Sequence, residues 1–118
     1  MSDRQLSQAH HDLKTVTAIQ ELFSVRDHWT AGTIAQDVDG HSVDYTSSRA
    51  YKFCFVGAYC HVIGQSLDER IDEGNVARIF GCESGGLINI NDHKGYEAVM
   101  QWLDRTADRL NAMIATPK

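Results

Sequence analysis

The chain has 118 residues, 42% of them hydrophobic and 23% charged, which predicts one globular domain over 1–118 with a single core and leaves too little chain for a second. No apolar run approaches the ~20 residues of a membrane-spanning helix, and the polar opening MSDRQLSQAHHDLK carries no signal-peptide core. A net charge of -5 argues against a nucleic-acid backbone as partner, because that surface is read through clustered Lys and Arg. These features predict a cytoplasmic acidic domain whose partner is a protein, with a homo-oligomer as an open alternative.

Leu6, Ala9, Leu13, Val16, Ile19 and Phe23 recur at helical spacing among polar residues, predicting an amphipathic first helix over 4–25. Asp39-Gly40 then marks a two-residue hairpin turn, since both central residues of a type I′ turn need positive φ. That turn sets Val38 opposite His41, Gln36 opposite Val43 and Ile34 opposite Tyr45. It places Ile34, Val38, Val43 and Tyr45 on the buried face of a hairpin running from Ile34 to Tyr45, and Ala35, Asp37, Ser42 and Asp44 on the other.

The segment Arg49 to Ile63, RAYKFCFVGAYCHVI, is apolar on nearly every side. A helix of that composition is buried on every side, so it predicts a central helix, Ser47 to Ile63, with Thr46, Ser47 and Ser48 as candidate caps and Gly64 as its stop. Cys54, Gly57, Ala58 and His61 lie along one face of it. This small-residue stripe suits either a close backbone crossing at Gly57 and Ala58 or a crevice shared by a thiol and an imidazole. Beyond it, short helices are predicted at Leu67 to Glu73 and Asn75 to Phe80, a loop at Glu83-Ser84-Gly85-Gly86, and a brief strand or extended lead-in at Leu87 to Ile90. Asn91 or Asp92 then caps a last helix from Gly95 to Ile114, with Tyr96, Val99, Leu103, Ala107, Leu110 and Ile114 on the face that packs against the central helix. The predicted fold is α+β and mainly helical: three principal helices, the central one buried, with one small β-hairpin.

Trp29-Thr30-Ala31-Gly32, Asp39-Gly40, Cys54-Phe55-Val56-Gly57-Ala58 and Ile90-Asn91-Asp92, in that order before a C-terminal amphipathic helix, resemble an uncharacterised family of small bacterial and bacteriophage proteins. The similarity runs from about Leu13 to Leu110. Its function being unknown, the resemblance implies no activity, only a small domain often carried by phages and prophages. The longer polar N-terminus and the second helical cysteine, Cys60, depart from the family pattern.

Catalytic chemistry has one candidate set. Cys54 lies near the start of its helix with His61 two turns on, and Asn91, Asp92 or His93 follow from the final loop, a composition that suits a thiol nucleophile with a base. The rise between Cys54 and His61 is about 10 Å, and a buried cysteine is more often a small core hydrophobe. Asp37-Val38-Asp39-Gly40 resembles part of a calcium loop, but the first and last ligand positions fall on Ala35 and Thr46, so the turn reading prevails. The three cysteines, Cys54, Cys60 and Cys82, and the six histidines lack zinc-type spacing; reduced thiols are predicted, with no metal and no cofactor.

Trp29 is expected to plug the hairpin onto the core, while Trp102 with Thr106, Arg109 and Met113 reads first as a partly buried aromatic at the margin of the core and, as the alternative, has the composition of a contact surface. The leading reading is therefore a non-enzymatic binding protein, a phage or prophage accessory factor engaging a host protein, such as a counter-defence inhibitor. Its candidate binding residues are Trp29, Tyr59, Asn91, Asp92, Trp102 and Arg109. One alternative is a cysteine-dependent hydrolase or transferase using Cys54, His61 and His93. Another is a small-ligand pocket beside Gly57 and Ala58, rimmed by Trp29, Tyr59 and the Asn91-Asp92 step.

Overall fold

The structure, a computed structural model, describes residues 2–65 and 69–115. Helix α1 spans Asp3–Phe23. It opens on a reciprocal cap in which the Gln5 N–H donates to Ser2 Oγ at 3.1 Å and the Ser2 N–H to Gln5 Oε1 at 2.9 Å, satisfying donors that a helix start otherwise leaves free. Ala9, Asp12, Val16, Ile19 and Phe23 are buried along one stripe. Asp12 holds a core position because the guanidinium of Arg78 meets its carboxylate twice, at 3.0 and 3.2 Å.

A single 3₁₀ turn at Arg26–His28 leads into the strand β1, Ala35–Gln36, which pairs antiparallel with β2, Lys52–Phe53. Between them lies the predicted turn, but the second strand expected at His41 to Tyr45 is reduced to a single bridge from Ser42 to Gln36, one residue off the expected register, and β1 takes β2 as its ladder partner instead. Asp37 closes it from the side chain: Oδ1 accepts from the N–H groups of Asp39 and His41 at 2.9 and 3.0 Å, and the Asp37 N–H donates to the His41 carbonyl. Gly40 supplies the left-handed residue, φ 88°. The turn therefore runs from Asp37 to His41, and Gln36 faces Ser42 rather than Val43. A one-residue slip exchanges the faces of a strand. Ala35 and Asp37 are accordingly buried, while Ile34 and Val38 are 38% and 70% exposed, the reverse of the expected first strand. Tyr45 is buried as expected.

The central helix is shorter than predicted. Helix α2 spans Phe55–Ile63 with Cys54 as its N-cap, the thiol accepting from the Gly57 N–H at 3.3 Å. Tyr51, Lys52 and Phe53 are extended instead, because this aromatic run suits a strand and the Tyr51 and Cys54 N–H groups bond the carbonyls of Gln36 and Ile34. The hydroxyls expected to cap the helix close local turns: Thr46 Oγ1 donates to Asp44, and Ser47 Oγ accepts from the Arg49 N–H. From Phe55 to Cys60 every residue of α2 is buried, as its composition requires, and Gly64 ends it at φ 75°.

Leu67 and Asp68 lie outside the described residues, and Glu69 to Asp72 are not helical. Helix α3, Glu73–Phe80, follows the predicted second short helix and is capped by Asp72 Oδ1 on the Asn75 N–H. The predicted loop at Glu83 to Gly86 and strand at Leu87 to Ile90 are replaced by helix α4, Ser84–Lys94. Tertiary anchoring overrides the two glycines: Leu87, Ile90 and Asn91 are buried at i, i+3 and i+4, and the Glu73 carboxylate caps the helix from outside, accepting from the Ser84 N–H and hydroxyl at 2.8 and 2.6 Å.

Gly95, φ 88°, then redirects the chain directly into α5, Tyr96–Ala115. Val99, Leu103, Thr106, Ala107 and Leu110 are its buried residues. It packs chiefly along α1, and secondarily on α4, rather than on α2. The two long helices run antiparallel, since Tyr96 at the start of α5 donates to the Phe23 carbonyl at the end of α1.

Ile34 crosses α2 at Gly57, where a Cβ would sit 2.1 Å from the Ile34 carbonyl oxygen. That oxygen is backbone, already bonded to the Cys54 N–H, and has little room to retreat. Gly57→Ala is expected to lower stability by about 1–3 kcal/mol despite its better helix propensity. Chemical denaturation would measure this, and an unchanged midpoint would show that the crossing yields.

Candidate functional site

Trp29 and the Asn91-Asp92 pair are separated by some sixty residues in sequence and meet in space. Asn91 is fully buried and sits in the last turn of α4, so it is not the cap of the final helix. It serves the start of α2 instead. Its Oδ1 accepts from the Phe55 N–H at 3.0 Å and from the Trp29 indole N–H at 2.7 Å; its Nδ2 donates to the Thr30 carbonyl and to Asp92 Oδ1, both at 3.0 Å. Two donors face the oxygen and two acceptors face the nitrogen, which fixes the amide orientation and fills its hydrogen-bonding capacity. Asp92 Oδ1 also accepts from the Gly32 N–H at 3.0 Å. The Trp29 ring meets Tyr96 edge-on, and the Arg26 guanidinium covers both rings, 4.8 Å from the Tyr96 centroid and 6.0 Å from that of Trp29.

Over this knot lies a small crevice of about 140 Å³, lined by Gly32, Thr33, Ile34, Cys54, Ile88 and Asp92. Its rim carries two exposed isoleucines, Ile34 and Ile88 at 38% and 42%, and a carboxylate whose pKa is lowered by the Asn91 amide and the Gly32 N–H. Cys54 lies at its base, 4% exposed. Burial raises the Cys54 thiol above its ordinary pKa, outweighing the favourable N–H groups of Gly57 and Val56. That direction opposes nucleophilic activation.

The other members of the predicted catalytic set lie apart. The His61 imidazole bonds the Tyr45 carbonyl at 2.6 Å and rests on the Phe53 ring, 4.5 Å between centroids; His93 is exposed in the last turn of α4. Cys60 is fully buried and its thiol is pushed up to about 11, mainly by desolvation. The ligand pocket expected beside Gly57 is filled on that side by the Ile34 backbone.

Tyr59, Trp102 and Arg109 belong to a second place, the end of α3. Tyr59 is buried with its ring edge-on to Phe80, 5.8 Å between centroids. The Trp102 indole donates to the Phe80 carbonyl at 2.9 Å, and the Arg109 guanidinium donates to the Ile79 carbonyl. Side chains of α5 thus satisfy carbonyls that α3 leaves free at its C-terminus, where a cation is also favoured by the helix dipole.

The acidic turn brings Asp37, Asp39 and His41 within 4.8 Å of one another. The Asp37 carboxylate is already engaged there by two backbone N–H groups, and by His41 Nδ1 and Arg49 at 3.5 Å each. Sequence reasoning missed Asp12, Asp37, Glu73 and Arg78 as organising groups. For Asp12 a signal existed, an acid three residues after Ala9 and four before Val16 on the apolar stripe.

No family model, curated protein or solved structure matches the chain.

Two outcomes follow from this chemistry. At pH 8 in the native state, Cys54 and Cys60 are expected to resist iodoacetamide while the half-exposed Cys82 is modified first, as mass spectrometry of peptides would show. Fast labelling confined to Cys54 would mean that its thiol is activated after all. The carboxyls of Asp37, Glu73 and Asp92 are all held below their ordinary values by hydrogen bonds. Unfolding returns them to about 4, so the unfolded chain binds more protons in that range. Their contribution is complete above about pH 5 and declines as pH falls through 4 towards the folded values. Unfolding titrations from pH 7 to 3 should show this decline, shallower in Asp92→Asn; identical slopes would remove Asp92 from the account.

Proposed function

We propose that the protein is a small non-enzymatic binding protein, of the phage or prophage accessory kind that the family resemblance implies, and that it engages a host protein. The supporting observation is the rim of the crevice over Asn91. Ile34 comes from the loop before β1 and Ile88 from α4, and both stay exposed although they border one depression with the Asp92 carboxylate. Two apolar anchors beside an acid suit a partner that presents an apolar side chain flanked by Lys or Arg. The rim stands on the Asn91 knot and is therefore presented in a fixed conformation, which reduces the ordering cost of association.

A thiol hydrolase or transferase would need Cys54 as thiolate, and its burial favours the protonated form. Affinity capture from bacterial lysate should compare the wild-type protein with Ile88→Glu and Cys54→Ser. A protein should be retained by wild type and by Cys54→Ser but lost with Ile88→Glu, whose exposed position leaves the fold intact. Equal retention by Ile88→Glu would move the contact surface elsewhere. Turnover of an ester or amide probe that disappears with Cys54→Ser would replace the reading with an enzymatic one.

A further inference from the structure

A cleft of about 410 Å³, sharing no lining residue with the crevice at Asp92, lies between the first half of α1, the last half of α5 and Arg78 of α3. Its floor is Ala9 and Leu110, each 2% exposed, and its wall is Met113, 37% exposed. Gln5 and Gln8 line one side, and the Asp12–Arg78 ion pair closes the end, separating it from a more polar depression of about 280 Å³ that shares Gln8, Asp12 and Arg78. The size falls within the range of small-molecule sites, which are largely apolar with a few placed polar groups.

The charges around the cleft do not cancel. Arg78 is committed, with Nε and one terminal nitrogen on Asp12 and the other on Asn75. Arg109 turns one terminal nitrogen to the Ile79 and Arg78 carbonyls, while the other, among the described residues, reaches the Met113 sulfur at 3.9 Å. Among the described residues no carboxylate lies within ion-pair distance of it. A guanidinium with N–H groups to spare therefore borders an apolar trough in a protein whose net charge is negative.

We propose that this cleft binds a medium-chain carboxylic acid as its anion, with the carboxylate on Arg109 and the alkyl chain along Ala9, Leu110 and Met113. The guanidinium supplies the paired N–H groups a carboxylate accepts best, and the trough removes the chain from water. The site is independent of the crevice rim, so either can fail alone.

Titration calorimetry with octanoate, heptanoate, hexanoate and the neutral octanol tests it. Octanoate should bind saturably, each methylene removed should weaken binding about fourfold, and octanol should bind at least about tenfold more weakly than octanoate. Arg109→Gln should bring octanoate and octanol to within about twofold of each other. Because Arg109 also holds α3, Met113→Glu serves as a second variant: it sets a carboxylate beside the guanidinium without touching the α3 carbonyls. It should abolish octanoate binding and leave the melting temperature nearly unchanged. The proposal is overturned if no alkanoate binds saturably, if octanol matches octanoate in the wild type, or if Met113→Glu binds octanoate as before.

Discussion

The side-chain amide of Asn91 is the place where the loop after α1, the start of α2 and the body of α4 are joined. It has no exposure to solvent and its four hydrogen bonds end on three separate segments. A buried amide whose partners are all present is strongly directional, and one whose partners are missing is costly. The position of Trp29 on Tyr96, the entry of α2 at Cys54 and the crossing of Ile34 over Gly57 all depend on that arrangement. The exposed rim of Ile34, Ile88 and Asp92 inherits its rigidity from below.

Short elements are completed by side chains from distant ones. Helix α3 has eight residues, too few to be stable alone. Its carbonyl end is held by Trp102 and Arg109 of α5, its outer face by Asp12 of α1 through Arg78, and its Glu73 in turn caps α4. Trp102 and Arg109, two residues with the composition of a contact surface, thus spend hydrogen bonds inside the protein. What remains free around α3 is the outward part of the Arg109 guanidinium, beside the α1–α5 cleft.

The long amphipathic helices were legible because their apolar residues recur over five or six turns, and α1 and α5 lie within a few residues of the expected bounds. The burial of α2 followed from its composition, and Gly57 and Gly64 from their need for a close approach and a left-handed cap. The errors share one cause. Where the segment was short, local signals competed with contacts the sequence does not display. Asp39-Gly40 does mark a turn, but the Asp37 side chain chooses its length and so inverts the first strand. Gly85-Gly86 reads as a loop until Glu73 supplies the missing cap. Asn91 and Asp92 were singled out as polar residues next to a helix, yet the helix Asn91 serves is α2, at the far end of a contact between residues 36 positions apart. Trp29, Cys54, Gly57 and Asn91, far apart in the chain, prove to be parts of one packed knot.

That knot predicts a large, local and asymmetric sensitivity to mutation. Asn91→Ala leaves the Phe55 N–H, the Trp29 indole N–H and the Thr30 carbonyl without their partner, at about 1–3 kcal/mol for each group that stays buried. Urea unfolding of this variant beside Asn89→Ala, an exposed neighbour on the same helix, measures the difference directly. Asn91→Ala is expected to lose more than about 3 kcal/mol and Asn89→Ala less than about 0.5 kcal/mol. A loss at Asn91 no larger than that at Asn89 would contradict the joining role of the buried amide.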